Sequence, residues 1–261
     1  MDFGIKGKTA LVLGASSGLG RAIAVSLAGE GAHVAVAGRR ADKLDETVAL
    51  INAAGGKGFA LPWDLGDLSV IDANVARVEQ ALGPIDILVN NTGGPPPTTA
   101  AGQKPELWAQ QFQNLVLSVI AITDRVLPGM RQRKWGRIIT SATSGVVSPI
   151  PNLGISNTLR ASLVTFSKTL SQEVARDGVT VNVVLPGRIM TDRITQIDGN
   201  TAQKQGRSIE EVTRDSANAI PMGRLGDAKE YGDAVAFLAS ARASYITGTI
   251  LRVDGGAIAS I

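Results

Sequence analysis

The chain has 261 residues, of which 44% are hydrophobic and 30 are glycine, and this composition fits one large α/β domain. It contains no cysteine, which excludes disulfides, thiolate metal sites and a cysteine nucleophile and is consistent with a reducing compartment. Its formal net charge of +3 is spread along the chain, which argues against a nucleic-acid partner.

Short apolar runs alternate with segments of helical spacing along the whole chain. Runs of strand length predict seven strands, at 9–13, 33–37, 58–61, 85–90, 137–140, 179–184 and 249–253. Helical spacing predicts longer helices between them and before the last strand, at 18–29, 41–54, 68–82, 106–133, 154–176 and 229–240.

This alternation predicts an α/β fold in which residues 1–261 form one domain. We expect a Rossmann-type, doubly wound architecture, with a seven-stranded parallel sheet and helices on both faces. Residues 191–221 are polar and lack a strand pattern, so we expect one or two short helices there that act as a substrate lid.

Neither a metal site nor a membrane segment is expected. His33, the only histidine, begins an apolar run, and we interpret it as a satisfied side chain at a strand end. The basic run 131–137 is interpreted as cations at a helix C-terminus, with an anionic partner surface as the alternative. No signal peptide opens the chain, and the longest uncharged stretch, 138–159, contains Pro149 and Pro151. We therefore expect a soluble cytoplasmic protein.

A glycine-rich loop joins the first predicted strand to the first predicted helix. Its glycines, Gly14, Gly18 and Gly20, have the spacing Gly-x3-Gly-x-Gly rather than Gly-x-Gly-x-x-Gly. Glycine permits positive φ and a close approach of a diphosphate to the main chain, while the N–H groups at the helix start face the anion. The loop therefore predicts a dinucleotide site, with a plain strand–helix turn as the alternative.

Arg39 follows the second predicted strand, where an acidic residue would accept hydrogen bonds from the adenosine ribose and favour NAD. No acidic residue occurs there before Asp42. A guanidinium suits a 2′-phosphate instead, so Arg39 predicts NADP(H) as the cofactor. One charge-assisted hydrogen bond of about 1.5–3 kcal/mol corresponds to a preference of about ten- to a hundredfold. A solvated arginine at a strand end is the alternative.

Further short motifs follow the glycine loop. They are Asp64-Leu65, Asn90-Asn91-Thr92-Gly93, Pro186-Gly187 with Thr191, and Val253-Asp254-Gly255-Gly256. Together with the glycine loop they stand in the order, and at the strand ends, that are typical of the short-chain dehydrogenase/reductase family. The chain resembles this family over nearly its whole length. Residues 220–226 and 245–248 resemble its 3-oxoacyl-[acyl-carrier-protein] reductase branch.

The resemblance implies cofactor binding at each of these strand ends. Asp64 would accept from the adenine amino group beside the Leu65 backbone, and Asn90 and Gly93 would shape the loop under the adenine ribose. Thr191 and the backbone of Ile189 would bind the nicotinamide carboxamide. Helix capping is the alternative for Asp64 and Thr191. The implied cofactor-binding residues are Gly14, Ser16, Ser17, Gly18, Leu19, Gly20, Arg39, Asp64, Leu65, Asn90, Gly93, Arg160, Pro186, Gly187, Ile189 and Thr191.

The resemblance also implies a catalytic set of asparagine, serine, tyrosine and lysine, which this chain keeps only in part. Asn114 stands at the asparagine position and Thr143 at the serine position. Ser156 replaces the tyrosine and Arg160 the lysine. A serine hydroxyl is far less acidic than a phenol beside an ammonium, and a guanidinium does not give up its proton. Because a placed general acid is worth about 10²–10⁴-fold in rate, proton donation is expected to be weakened or altered.

Two functions remain open at this point. One is an NADP(H)-dependent oxidoreductase that resembles 3-oxoacyl-acyl carrier protein reductase and acts on a carbonyl or hydroxyl substrate. The other is a catalytically inactive nucleotide-binding protein with a regulatory or scaffolding role. The resemblance further implies a small carbonyl compound or acyl thioester as substrate, a place in fatty acid metabolism, acyl carrier protein as a partner, and a homotetramer.

Overall fold

One parallel sheet runs through the centre of the computed structural model, which describes residues 2–260. The strands lie in the order β3-β2-β1-β4-β5-β6-β7, and each neighbouring pair is parallel. Their bounds are β1 Thr9–Val12, β2 His33–Gly38, β3 Lys57–Pro62, β4 Ile85–Asn91, β5 Gly136–Ser141, β6 Val179–Pro186 and β7 Ile250–Val253. All seven strands predicted from the sequence are confirmed.

Helices cover both faces of the sheet, as expected for a doubly wound fold. None of the helices in the described residues combines the length and apolar character needed to span a membrane. Their bounds are α1 Gly18–Gly29, α2 Ala41–Ala53, α3 Ile71–Leu82, α4 Pro105–Phe112, α5 Ser118–Gln132, α6 Gly154–Val174, α7 Asp192–Gln205, α8 Ile209–Asn218 and α9 Ala228–Ala239.

Two apolar cores lie on opposite faces of the sheet because successive strand residues point to opposite sides. Val12 of β1 belongs to the core with α1, α2 and α9. Its neighbour Leu11 belongs to the core with α3, α5 and α6. Both residues are fully buried, which explains why the strands appear in the sequence as continuous apolar runs rather than alternating ones.

The strand order reverses between β1 and β4, and this reversal places the candidate site. β2 and β3 continue the sheet on one side of β1, whereas β5, β6 and β7 continue it beyond β4. In open parallel sheets, ligands bind outside the carboxyl ends of the strands at such a reversal. The glycine loop leaves β1 at this end, and the loop beginning at Thr92 leaves β4.

The helix predicted at 106–133 is interrupted, so that prediction was wrong in one respect. A π-helical turn, Gln113–Leu117, separates α4 from α5. The Ser118 N–H donates to the carbonyl of Gln113, and the Ser118 hydroxyl donates to the carbonyl of Asn114 at 2.9 Å. The apolar spacing continues through the turn, so the sequence pattern could not locate it. Single π-helical turns are frequent at functional sites, and Asn114 lies inside this one.

Residues 191–221 contain two helices, α7 and α8, in agreement with the sequence-based expectation. Ser208 and Glu211 form a reciprocal capping box at the start of α8. Buried Asp198 of α7 is ion-paired with Arg188, in the segment after β6, and accepts a hydrogen bond from Thr213 of α8 at 3.0 Å. This carboxylate therefore ties both helices to the end of the sheet.

Basic residues of the run 131–137 form ion pairs with acidic residues of the same chain. Arg131 and Lys134 both contact Asp177, with nitrogen–oxygen distances of 2.7 and 2.6 Å. Arg133 contacts Asp86 at 3.3 Å. The structure thus supports the intramolecular interpretation of this run.

Candidate functional site

The glycine loop is held between β1 and β4 by a side chain that the sequence analysis did not single out. Asn91 Nδ2 donates to the carbonyls of Leu13 and Gly14, at 3.2 Å in each case. A Cβ at Gly20 would stand 2.8 Å from this nitrogen and would also overlap the Gly14 carbonyl. Gly14 has a φ of 60° and Gly18 a φ of 56°, in the left-handed region that favours glycine. The loop geometry therefore requires these glycines.

The start of α1 is available to an anion. Ser17, at the N-cap position, has an extended backbone and makes no capping hydrogen bond with its side chain. The first N–H groups of a helix have no partners within the helix, and they carry the positive end of its dipole. The loop thus presents unpaired donors at the strand reversal, which is the arrangement that a diphosphate requires.

A second arginine, Arg40, reaches the glycine loop. Its Nη2 donates to the hydroxyls of Ser16 at 3.2 Å and Ser17 at 2.8 Å. Arg39 is exposed and makes no hydrogen bond or ion pair with any of residues 2–260. Arg39, but not Arg40, was predicted from the sequence to contact the cofactor. The adjacent arginines in Gly-Arg-Arg could have indicated that Arg40 is a further phosphate-binding residue. Its contacts with Ser16 and Ser17, however, form only when the chain folds.

Asp64 lies in the turn after β3 and is exposed. Its Oδ1 accepts from the N–H of Gly66 at 3.1 Å, whereas the following helical turn is capped by Asp67. Asp64 is therefore not the helix cap considered as an alternative. Leu65, the next residue, is half-buried and packs against the core on the α3 side.

Asn90, near the end of β4, and Gly93, in the loop after it, lie in different surroundings. Asn90 is buried, and its Nδ2 donates to Thr123 Oγ1 of α5 at 3.3 Å, while its Oδ1 has no partner among residues 2–260. Its side chain therefore packs toward α5. Gly93 has open space where a Cβ would project.

The segment after β6 brings Thr191 over the glycine loop. The methyl group of Thr191 lies 3.6 Å from the position of a Cβ on Gly18. Thr191 occupies the N-cap position of α7, yet its hydroxyl makes no capping hydrogen bond. Arg188 and Met190 pair with Gly226, which leaves the amide of Ile189 outside this pairing. Pro186 ends β6, and the Gly187 N–H donates to Val253 at 2.9 Å.

Thr143 lies just after β5, and Ser156 lies in the first turn of α6. The space outside the carboxyl ends of β4 and β5 is called the cleft below. Thr143 is half-buried, and its Oγ1 accepts from the Gly145 N–H at 3.3 Å. Ser156 lies on α6 and is 7% exposed. A Cβ at Gly145 would contact Asn157, the residue after Ser156, which shows how closely this turn packs on α6.

Asn114 lies in the π-helical turn. A Cβ on Gly66, in the turn that follows Asp64, would overlap its side-chain oxygen, and its carbonyl accepts from Ser118. Neighbouring Gln113 donates to the Gly66 carbonyl at 2.8 Å. The π-helical turn is therefore fastened to the turn after β3. No hydrogen bond joins Asn114 to Ser156 or Arg160 in this structure.

Arg160 is 6% exposed and is surrounded by backbone carbonyls rather than carboxylates. Its Nη2 donates to Thr92 at 2.9 Å and Gly93 at 3.2 Å, and its Nη1 donates to Ser141 at 3.4 Å. Burial, followed by the charge of Arg193, lowers the pKa of Arg160 to about 10. The guanidinium thus joins the ends of β4 and β5, a role that its family position alone did not indicate.

Tyr231 of α9 lies beneath this part of the site. Its hydroxyl is 2.8 Å from Ser141 Oγ and 3.2 Å from the carbonyl of Val184. The side chain is fully buried, and burial raises its pKa, although the Ser141 bond and the charge of Arg160 oppose this shift. Tyr231 therefore cannot reach a ligand in the cleft and is a poor acid where it stands.

Comparisons with known proteins show that this chain is similar to reductases and dehydrogenases over nearly its whole length. Residues 14–257 match the family model described as enoyl-(acyl carrier protein) reductase. The chain is 38% identical over 253 residues to the 3-oxoacyl-[acyl-carrier-protein] reductase of Escherichia coli (strain K12), covering 96% of this chain and 97% of the relative. It is 34% identical over 256 residues to the 2,3-dihydro-2,3-dihydroxybenzoate dehydrogenase of Bacillus subtilis (strain 168), covering 97% of each.

A solved reductase structure is also similar to this chain in sequence and fold. The L-sorbose reductase of Gluconobacter frateurii, complexed with NADPH and L-sorbose, superposes with a TM-score of 0.95. The two chains are 33% identical, and the match covers 100% of each.

Proposed function

This chain belongs to the short-chain dehydrogenase/reductase family, and from that premise we propose that it is an NADPH-dependent oxidoreductase that interconverts carbonyl and hydroxyl groups. The observation that carries the proposal is the contact of Arg40 with Ser16 and Ser17 at the glycine loop, with Arg39 exposed beside it. A 2′-phosphate needs such a cluster of planar donors. The L-sorbose reductase that this chain resembles was solved with NADPH.

The residues around the strand reversal fit such a cofactor. The loop with Gly14, Gly18, Leu19 and Gly20 would hold the diphosphate at the start of α1. Asp64 and Leu65 would bind the adenine, and Thr191 with the Ile189 amide would bind the nicotinamide carboxamide beyond Pro186 and Gly187. This assignment is supported by the uncapped Ser17 and Thr191 positions and by the close approach of Thr191 to Gly18.

Bound NADPH would supply the hydride, and the chain would supply orientation and charge. Thr143 follows β5 at the position of the family serine, and its hydroxyl would donate to the carbonyl oxygen of a substrate. Ser156 could form a second hydrogen bond, but its hydroxyl lacks the acidity of a phenol. Arg160 would provide a fixed positive charge that stabilises a developing alkoxide. We therefore propose that carbonyl reduction proceeds with weakened proton donation, from water or from the substrate itself.

The similarity to 3-oxoacyl-[acyl-carrier-protein] reductase supports a substrate that is a small carbonyl compound or an acyl thioester. We propose a place in fatty acid metabolism on the same ground, with acyl carrier protein as a partner. Helices α7 and α8 would act as the lid of a single-domain enzyme, because Asp198 ties them to the sheet at the substrate end. The alternative of an inactive nucleotide-binding protein receives no support from the comparisons, since the relatives described above are reductases and dehydrogenases by name.

We predict that the protein binds NADPH about ten- to a hundredfold more tightly than NADH, because the 2′-phosphate gains at least one charge-assisted bond. Fluorescence titration of each dinucleotide measures the ratio. Arg39→Asp and Arg40→Asp should each flatten or reverse it, whereas Arg176→Asp, at an exposed arginine without a hydrogen-bond partner among residues 2–260, should not. Equal affinities in the unmodified protein would contradict the cofactor assignment, and binding of neither would contradict the proposed function.

We predict a homotetramer with two-fold symmetry, formed through α4–α5, α6 and the edge strand β7. Phe112 precedes the π-helical turn and Leu117 ends it, and they are 43% and 37% exposed, while Ile250 of β7 is 41% exposed. Exposed large apolar residues on these elements are available to an interface between copies of the chain. Light scattering at micromolar protein should give the tetramer mass, and Phe112→Asp should lower it. A monomer mass in the unmodified protein would overturn this prediction.

A further inference from the structure

A second guanidinium lies beside the loop that follows β4. Arg193, in the first turn of α7, is placed so that a Cβ on Gly94 would stand 2.9 Å from both of its terminal nitrogens. Arg160 donates to the carbonyls of Thr92 and Gly93 in the same loop. The two groups are close enough that the charge of Arg193 contributes to the lowered pKa of Arg160. Two like charges therefore lie near the loop that follows β4.

No carboxylate compensates either charge within residues 2–260. Arg193 is exposed and forms no hydrogen bond or ion pair with any of those residues, and the partners of Arg160 are all neutral carbonyls. Arg188 and Arg207, in and beside the lid, are ion-paired with Asp198 and Asp215, whereas exposed Arg214 of α8 forms no such pair within residues 2–260 and lacks a neighbouring guanidinium like that of Arg160. An uncompensated pair of guanidinium groups is a favourable place for an anion.

Gly94 allows Arg193 to approach the loop. Its φ lies outside the left-handed region, so glycine is not required there by backbone conformation. What the missing side chain provides is space for the guanidinium. Arg193 lies beside Gly94, and Arg160 donates to the two carbonyls that precede this glycine. Arg160 is in turn one helical turn along α6 from Ser156. An anion held there would be adjacent to the reacting groups.

We propose that Arg193, with the Gly93–Gly94 backbone beside it, binds an anionic oxygen group at the reacting end of the cleft. The inference rests on the proposed function, because it takes that cleft as the site of carbonyl reduction. The planar fork of arginine suits both a carboxylate and a phosphate. The anion therefore comes either from the carboxylate of an oxo-acid substrate or from the diphosphate of the dinucleotide, and one set of measurements distinguishes these sources.

The test compares full-length Arg193→Met with Arg214→Met, which removes an equally exposed arginine from α8. Acetoacetate and its neutral methyl ester serve as substrates, and NADPH affinity is measured by fluorescence titration. If the anion is a substrate carboxylate, Arg193→Met raises KM for acetoacetate about ten- to a hundredfold and leaves the ester unchanged. If it is the diphosphate, the Kd for NADPH rises by that factor and neither KM changes. The proposal would be overturned if the two KM values and the Kd for NADPH in Arg193→Met all lay within twofold of those in Arg214→Met.

Gly94→Ala is a second variant that alters the site without changing its charge. The added methyl group would displace the Arg193 side chain. Whichever constant rises in Arg193→Met, the KM for acetoacetate or the Kd for NADPH, should therefore also rise in Gly94→Ala, by a smaller factor. Calorimetric titration with acetoacetate and with inorganic pyrophosphate measures the anion site without turnover. Loss of either binding in Arg193→Met, but not in Arg214→Met, would support the site even if no carbonyl compound were reduced. Calorimetry therefore tests the anion site independently of whether the protein reduces a carbonyl compound.

Discussion

The double variant Ser156→Tyr with Arg160→Lys is expected to reduce an activated ketone or a 3-oxoacyl thioester faster than the unmodified protein, by up to about 10²–10⁴-fold. The two residues are four apart on α6, so the phenol would stand one turn from an ammonium that lowers its pKa. The rate of NADPH oxidation at saturating cofactor measures the gain. Ser156→Tyr alone should give part of it, because Arg160 still supplies positive charge.

Ser156→Phe with Arg160→Lys is the matched control, since it places the same ring at position 156 without the hydroxyl. It should give no increase. Ser156 is 7% exposed, so circular dichroism and NADPH affinity should be measured for each variant to verify that the ring is accommodated. The assignment would be wrong if the unmodified protein were fully active and kept that activity in Ser156→Ala and Arg160→Ala. The proton donor would then have to lie elsewhere, with the 191–221 segment as the first place to search.

Arg160→Met is expected to lower the free energy of unfolding by about 2–4 kcal/mol. The substitution keeps much of the side-chain volume but leaves the carbonyls of Thr92, Gly93 and Ser141 without their donors. Buried unsatisfied acceptors cost free energy because they have left water without gaining a partner. Urea denaturation monitored by circular dichroism measures the change.

Arg176→Met removes an exposed arginine and should change the free energy of unfolding by less than about 0.5 kcal/mol. Arg160→Lys should lie between the two variants, since three donors on one nitrogen cannot span both the carbonyls of the loop after β4 and the Ser141 carbonyl at the end of β5. Equal stability of Arg160→Met and the unmodified protein would contradict a structural role for this guanidinium. The double variant that restores the phenol should accordingly be less stable than Ser156→Tyr alone.

The architecture could be predicted from the sequence because its signals are local. Each buried parallel strand is a continuous apolar run, and each is bounded by glycine, proline or a change to helical spacing. The π-helical turn at 113–117 could not be predicted in this way. It changes the backbone hydrogen bonds while the apolar residues continue at nearly the same spacing.

The positions of the candidate site residues could also be predicted, but their contacts could not. Arg40 reaches Ser16 and Ser17 over more than twenty residues of sequence, and Asn91 holds Gly14 over more than seventy. Tyr231 comes from α9 to meet Ser141, about ninety residues earlier in the chain. No local pattern encodes such contacts, because they depend on which strand ends the folded sheet brings together.

The same limit applies to Arg160. Its position on α6 identified it as the replacement for a family lysine, and the resemblance implied that it binds the cofactor. Its hydrogen bonds to the carbonyls after β4 and at the end of β5 could be identified only from the structure. The residue that departs from the family pattern is thus built into the framework of the site.

The most direct test of the central claim is transfer of deuterium from 4-deuterated NADPH to a carbonyl substrate by the unmodified protein. Activated ketones and short 3-oxoacyl thioesters should be incubated with the protein and each C4 stereoisomer of the cofactor, and the alcohol products analysed by mass spectrometry. We expect slow, saturable formation of a deuterated alcohol from one stereoisomer only. Tight binding of NADPH with no deuterium in any product would contradict it and would indicate that this chain binds the nucleotide without reducing a substrate.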